Sequence, residues 1–347
     1  MFDNVAFWLF PRSVQQDDPC ESAERMRAAG ATHVFPYLSN PQQSEKVMED
    51  DERHLRLDRL VEECGGAGLQ VHGCFCEMKF TEQPAEWHQV QENGEHNALL
   101  CPANPQVVEW ILGRLELFLD RYPMQGITLE DSYLFQTTSK YDPANAIESD
   151  YVPIDVCFCD HCKGHAPRDP DERRAYKESA LTNLVQRIST ECKGRGLVMS
   201  AAARLPYGRD FYESYRDEIR YWDGWGHCAS RYNFSADWAG WHAAGLVDFV
   251  CPMSYLHDTR IVELHARESR SRIKNAEHNV WMGLGLSYIT AEWQENKQPE
   301  HMNDAAKIKE QLEMLQGLGQ RNVVFFAYDK EWVTEEHIEV MSTARAE

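Results

Sequence analysis

Apolar residues recur along this chain in two rhythms. Stretches in which they return every three or four residues lead through a glycine into short runs rich in β-branched and aromatic residues, and the unit repeats. Val5–Phe10 is the first run, and Ser22–Ala29 passes Gly30 into Thr32–Tyr37. Leu57–Cys64 passes Gly65, Gly66 and Gly68 into Leu69–Glu77, the third strand. Asn104 and Pro105 have the chemistry of a helix start, a side-chain cap followed by a pre-set first turn. Val108, Ile111, Leu112, Leu115 and Leu119 then recur at helical spacing before Gly126 opens strand four, Gly126-Ile127-Thr128-Leu129-Glu130-Asp131. Arg173–Lys193 leads through Gly196 to Leu197–Ala203, and Ala236–Ala244 through Gly245 to Val247–Tyr255. Val280–Leu286 is strand seven, and Ala305–Leu318 with Gly319 precedes strand eight, Asn322–Tyr328.

Strands that alternate with helices in this way predict a (β/α)8 TIM barrel, read as a single catalytic domain over residues 1–347. Helix-to-strand turns are short, whereas the loops after strands four and five are long, over 132–169 and 205–235. Function is expected on the face that such loops build.

Composition narrows the partners. The chain of 347 residues carries 35 basic and 56 acidic side chains, a formal charge of −21, which disfavours nucleic acid and anionic lipid surfaces. MFDNVAFWLF lacks the basic start and cleavage site of a signal peptide, and no apolar run reaches membrane-spanning length, so a cytoplasmic location is expected. Eleven cysteines then argue for reduced thiols and a metal site rather than a disulfide framework. Exposed aromatics and a pinned loop suit a homo-oligomer.

Several acids fall at the carboxyl ends of strands: Glu77 after strand three, Glu130 and Asp131 after four, Asp258 after six and Asp329 after eight. The two-residue period puts Thr128 and Glu130 on one face of strand four and Leu129 and Asp131 on the other. Glu130 is favoured for the lumen, since Leu129 suits the apolar helix layer. Either acid alone is as well explained by a loop cap or a pair with an arginine such as Arg204; their convergence at one mouth is what points to chemistry. The loop after strand five holds Tyr207, Phe211, Tyr212, Tyr215, Tyr221, Trp222, Trp225, Tyr232 and Phe234. Most would pack the loop itself, leaving two or three to stack on a sugar. Arg204, Tyr207, Trp225, Tyr255, His257 and Asp329 complete the candidate substrate contacts with Glu77, and His257 and Asp258 would face strand four across the mouth.

Cys157-Phe158-Cys159-Asp160-His161-Cys162 is a CxCxxC, whose short intervals let three sulfurs turn toward one cation and favour zinc. Cys101, at the start of the helix feeding strand four, is the expected fourth ligand and His161 the alternative. Reduced core thiols are the plainer account. Four thiolates leave no open position for water, so the zinc would be structural.

Cys-Pro-x-Asn-Pro, the following helix, Gly-Ile-x-Leu-acid, CFCDHC and Val247–Tyr255 together resemble TIM-barrel glycoside hydrolases known from bacterial genomes, over most of the barrel. The sulfur arrangement is also similar to that of glycoside hydrolase family 42 β-galactosidases, and that resemblance implies Cys101, Cys157, Cys159 and Cys162 as zinc ligands. The chain departs from those β-galactosidases at their catalytic positions. Their fourth strand ends in Asn-Glu where this one reads Glu130-Asp131, and their strand-seven glutamate is replaced by Gly283-Leu284-Gly285-Leu286.

The expected function is hydrolysis of a glycosidic bond in a neutral or modified oligosaccharide or glycoside, with Glu130 or Asp131 as one carboxylate and Asp258 as its partner. Two alternatives stand beside it. A metal-dependent isomerase, epimerase or lyase would use Glu77, Glu130 and His72 or His257 around a divalent ion. A carbohydrate-binding barrel without catalysis would tie its mouth acids into salt bridges.

Overall fold

The computed structural model describes residues 1–10, 13–14, 17–39, 51–79, 82–130, 132–135, 156–163, 170–208, 210–211, 214, 230–286 and 303–345. Eight parallel strands close into a barrel: β1 (Asn4–Leu9), β2 (His33–Pro36), β3 (Gln70–Phe75), β6 (Gly126–Leu129), β7 (Val198–Ala203), β8 (Phe249–Ser254), β9 (Met282–Gly285) and β10 (Asn322–Tyr328). Around the ring they run β1-β10-β9-β8-β7-β6-β3-β2, so the (β/α)8 expectation holds. The two missing numbers belong to an antiparallel hairpin, β4 (His88–Val90) and β5 (His96–Leu100), inserted between β3 and the next helix.

The strands are buried on both faces, and the two-residue period sorts their side chains into two packed sets. Val5, Phe7, Val71, Ile127, Leu129 and Met199 belong to the layer beneath the helices. Ala6, Trp8, Phe35, Cys74, Phe249, Cys251 and Trp281 form a separate cluster that fills the lumen. At its floor His33 and His72 meet edge to face at 5.2 Å, and Trp281 stacks on Phe249 at 4.3 Å. Gly126 pairs with His72 in register, and a Cβ on it would lie 2.8 Å from the His72 ring. Close approach of the ring and of Val198 O at 2.7 Å, and not a special φ, therefore requires glycine at the start of β6.

The helices follow their sequence signals. They are α1 (Pro19–Ala28), α2 (Asp51–Gly66), α3 (Pro105–Arg121), the short α4 (Asp160–Lys163), α5 (Pro170–Gly194), α6 (Ser230–Phe234), α7 (Trp238–Ala243), α8 (Thr259–Arg272), α9 (Ala276–Asn279), α10 (Ala305–Gly317) and α11 (Glu335–Ala344). Asn104 caps α3 through Gln106 N at 2.9 Å. Gly30 and Gly319 end α1 and α10 in the left-handed region, at φ +82° and +72°, where an L side chain is strained. The buried face of α3 is Val107, Ile111, Arg114, Leu115 and Phe118; of the expected stripe, Ile111 and Leu115 lie on it, and Val108, Leu112 and Leu119 are half-buried against the core at its edge. Arg114 on that face is a charge with a buried partner, described below.

Candidate functional site

The carboxyl end of the barrel divides into a charged half and an aromatic half. On the charged half, Glu130 follows β6 directly, and its backbone N–H donates to Phe75 O of β3 at 3.0 Å. Two residues earlier, Thr128 accepts from Ser200 Oγ of β7 at 2.8 Å, both fully buried. Glu130 is buried, and both its oxygens are engaged: the Lys79 ammonium donates to Oε1, and the Ser132 N–H donates to Oε2 at 2.8 Å. A cation and a backbone N–H on a carboxyl at 6% exposure stabilise its ionised form, and burial demands such partners.

Lys79 stands on a single helical turn, Glu77–Lys79, immediately after β3. Glu77 anchors that turn from beneath. Fully buried, it accepts from Ser39 Oγ at 2.7 Å and Arg114 Nε at 3.0 Å. It is therefore one half of a buried ion pair with Arg114. Burial, reinforced by Glu77 and Glu130, pushes the neighbouring Cys76 thiol up, and burial with the same two acids does so for the Tyr133 phenol. Lys79 and Arg114 escaped the sequence reading, because an isolated cation beyond a strand or inside an apolar stripe has no periodic signal.

The segment after Glu130 is tied on two sides. Gln89 of β4, fully buried, donates from Nε2 to Leu100 O and Leu134 O, each at 3.0 Å, and Phe135 N donates to Phe234 O at 2.9 Å. Arg204 follows β7 with its guanidinium 5.5 Å from the Phe234 ring.

On the other half, Tyr255 stacks on Phe326 at 4.3 Å with planes 10° apart, Phe10 meets Phe326 at 4.8 Å, and Tyr37 stacks on Phe10 at 5.9 Å. The strand between Tyr255 and Phe326 is β9, whose glycines leave room for the ring. A Cβ on Gly283 would lie 3.1 Å from Tyr255 Cε1 and 2.6 Å from Pro252 O. The absence of an acid from strand seven thus has a packing counterpart. Tyr255 was expected from sequence; Phe10, Tyr37 and Phe326 were not, although alternation in β1, β2 and β10 places them on the lumen side.

Asp258, His257, Asp329 and Tyr207 each contact neighbouring chain segments. Asp258 is exposed and caps α8, accepting from Arg260 N at 2.9 Å. Its carboxylate is thus engaged at a helix end. His257 is exposed, with Nδ1 2.8 Å from Asn303 Oδ1. Asp329 is buried and accepts from Glu331 N at 2.8 Å, turning the chain after β10. Tyr207 is buried against Trp238 at 4.7 Å and donates its hydroxyl to Asp237, so it packs the loop. Burial is the main cause that pushes its phenol up, with Asp237 adding to it. Asp131 and Trp225 lie outside the described residues.

Cys101, Cys157, Cys159 and Cys162 converge beside the charged half, all buried, with their sulfurs within 4.8 Å of one another. Cys101 Sγ lies 3.6 Å from both Cys159 Sγ and Cys162 Sγ. A tetrahedron of sulfurs around zinc, with Zn–S near 2.3 Å, has edges of about 3.8 Å, so the donor set fits the ion. His161, the alternative ligand, is exposed and stands outside this group. The hairpin completes the site: Val90 N donates to Cys157 Sγ at 3.2 Å, and Cys101 follows β5 directly. Among the described residues this is the one group of three or more candidate metal ligands, and Glu77, Glu130, His72 and His257 do not form another.

No family model matches the chain, and no curated protein matches it. Solved structures do. The glycoside hydrolase domain of PgaB (BpsB) from Bordetella bronchiseptica is similar at TM-score 0.67 and 12% identity, covering 100% of both chains. The α-L-fucosidase isoenzyme 2 of Paenibacillus thiaminolyticus is similar at TM-score 0.62 and 13% identity, over 99% of this chain and 49% of that one. A β-galactosidase from the Antarctic haloarchaeon Halorubrum lacusprofundi is similar at TM-score 0.60 and 10% identity, over 98% and 57%. At such identities the likeness is one of fold.

Proposed function

We propose that this protein hydrolyses glycosidic bonds, with Glu130 as the reacting carboxylate and a sugar ring held against Tyr255, Phe326 and Phe10. The carrying observation is the placement of a buried, doubly hydrogen-bonded carboxylate on β6, diametrically across the eight-strand ring from β10 and its stacked rings. Glycosidic cleavage passes through an oxocarbenium-like state that an ionised carboxylate stabilises, while a second acid protonates the leaving oxygen. Asp131, adjacent in sequence, and Asp258 are the carboxyl groups to test for that second role. Aromatic faces suit the C–H side of a pyranose and leave its hydroxyls to polar partners. The similar solved structures, a fucosidase and a β-galactosidase among them, agree with a carbohydrate substrate.

The four cysteines would hold a structural zinc ion, with no position open for water or substrate. Its task is to join the β4–β5 hairpin to the loop beyond Glu130.

A panel of oligosaccharides and aryl glycosides with product analysis tests the reading. The expected outcome is cleavage of at least one class by the wild type and a fall of about 10²-fold or more in Glu130→Gln with the fold retained. Full activity in Glu130→Gln removes Glu130 from the chemistry. Isomerisation of a free sugar dependent on added divalent ion, with no hydrolysis, would replace this reading by the isomerase class.

A further inference from the structure

Two ion pairs share the short turn after β3, and they differ in exposure. Glu77–Arg114 is closed off, at 0% and 10% side-chain exposure, whereas Lys79 is 35% exposed over a Glu130 carboxylate at 6%. Glu77 is also held by Ser39 Oγ at 2.7 Å. The inner pair therefore fixes the turn, and the turn delivers an ammonium group to the mouth. Glu130 receives two donors, one on each oxygen, from Lys79 and from Ser132 N. Protonation of Glu130 would give up its charge pairing with the Lys79 ammonium, so this donor set favours the ionised carboxyl over one that carries a proton toward a leaving group.

We propose that Lys79 is a positioning residue that keeps Glu130 ionised and aimed into the mouth, so that Glu130 meets the positive charge growing at the anomeric carbon and is not the proton donor. This rests on the reading of Glu130 given above. It assigns proton donation to a different carboxyl group, and it gives Glu77, Ser39 and Arg114 a common purpose, the mounting of Lys79. A cation next to a carboxylate lowers the pH at which the acid ionises, so loss of the ammonium has a signature distinct from loss of packing.

The test compares wild type with Lys79→Met, Lys79→Gln and Lys79→Arg. With an aryl glycoside cleaved by the wild type, the Met and Gln variants are expected to lose kcat by about tenfold or more, with KM little changed and the acid limb of the pH profile raised by about 1 pH unit or more. Arg restores the wild-type limb. Independently of turnover, carbon-13 NMR of the Glu130 carboxyl, assigned through Glu130→Gln, should show ionisation moved to higher pH in Lys79→Met. Two replacements of different polarity guard against a single misfolded variant. An unchanged Glu130 titration and an unchanged pH profile in the folded Met and Gln variants overturn the proposal. If the wild type cleaves no glycoside while the Glu130 titration still responds to Lys79, the hydrolase reading falls and the Lys79 pairing stands.

Discussion

Strands β3 and β6 bring Lys79 and Glu130 to the barrel mouth, while β8, β10 and the ends of β1 and β2 bring Tyr255, Phe326, Phe10 and Tyr37. The two halves are stabilised in different ways. A buried carboxylate is tolerated only where donors are fixed in place, so the charged half needs a scaffold: the Glu77–Arg114 pair below, the Gln89 amide beside it, and the cysteine knot outside. Stacked rings need only shape and room, which Gly283 supplies. One consequence is that the charged half is built from one part of the chain, residues 39–162, using turn, helix and hairpin residues, whereas the aromatic half gathers strand ends from Phe10 to Phe326.

The sharpest way to break this asymmetry is to remove the knot. Metal analysis of the wild type is expected to find about one zinc per chain, and Cys159→Ser to lose it and to lower the thermal midpoint steeply, because structural zinc binding is folding free energy. Metal-free wild-type protein with full stability would sink the zinc assignment. Tyr255 and Phe326 stand apart from the knot, so a variant that stays folded should keep their stacking.

A second test reaches three buried histidines, His33 and His72 at the lumen floor and His265 on α8. Burial pushes the imidazoles of His33 down to about 4 and of His72 and His265 down to about 3, from an ordinary 6.5. Folded-state values below the unfolded one mean that the stability held by the neutral rings is present above pH 6.5 and lost as pH falls through about 4 and 3. Glu268 has the opposite sign. Burial pushes it up to about 7 from 4.5, so its contribution is present below pH 4.5 and lost as pH rises through about 7. Denaturant unfolding across pH 3 to 7 should show the histidine loss, and His72→Phe should flatten the acid side; an unchanged slope refutes the assignment.

Smaller effects separate binding from stability. Removing a ring from the aromatic half, as in Phe10→Ala, is expected to raise KM by about tenfold with kcat much less changed, in line with the ~0.5–1.5 kcal/mol of an aromatic pair. A fall in kcat alone would move these rings from binding to the chemistry. Asp258→Ala is expected to cost about 1 kcal/mol as a lost helix cap while hydrolysis continues. Abolished hydrolysis in a folded Asp258→Ala would restore Asp258 as the partner acid.

Much of the barrel was legible because its signals are periodic. Alternation assigned Glu130 and Thr128 to one face, and Asn104-Pro105 announced α3, as found. The β4–β5 hairpin was missed, since its strands are short and carry buried His88, Gln89 and Asn97. Asn93-Gly94 between them, with Gly94 at φ +87°, was the available signal. Lys79, Arg114 and Gln89 could not be read, because their importance lies in partners brought from other elements. Asp258 illustrates the converse: a carboxylate at a strand end looks the same in sequence whether it caps a helix or faces a ligand.

The buried Gln89 amide bridges Leu100 O of the hairpin and Leu134 O of the segment after Glu130, and Cys101 and Cys157 meet beside it. Amide hydrogens of β4, β5 and residues 132–135 should therefore exchange with deuterium as one cooperative block, opening together and closing together. The reacting carboxylate would then share the lifetime of that block, so the slowest-exchanging amides around the knot would measure how long the mouth stays assembled.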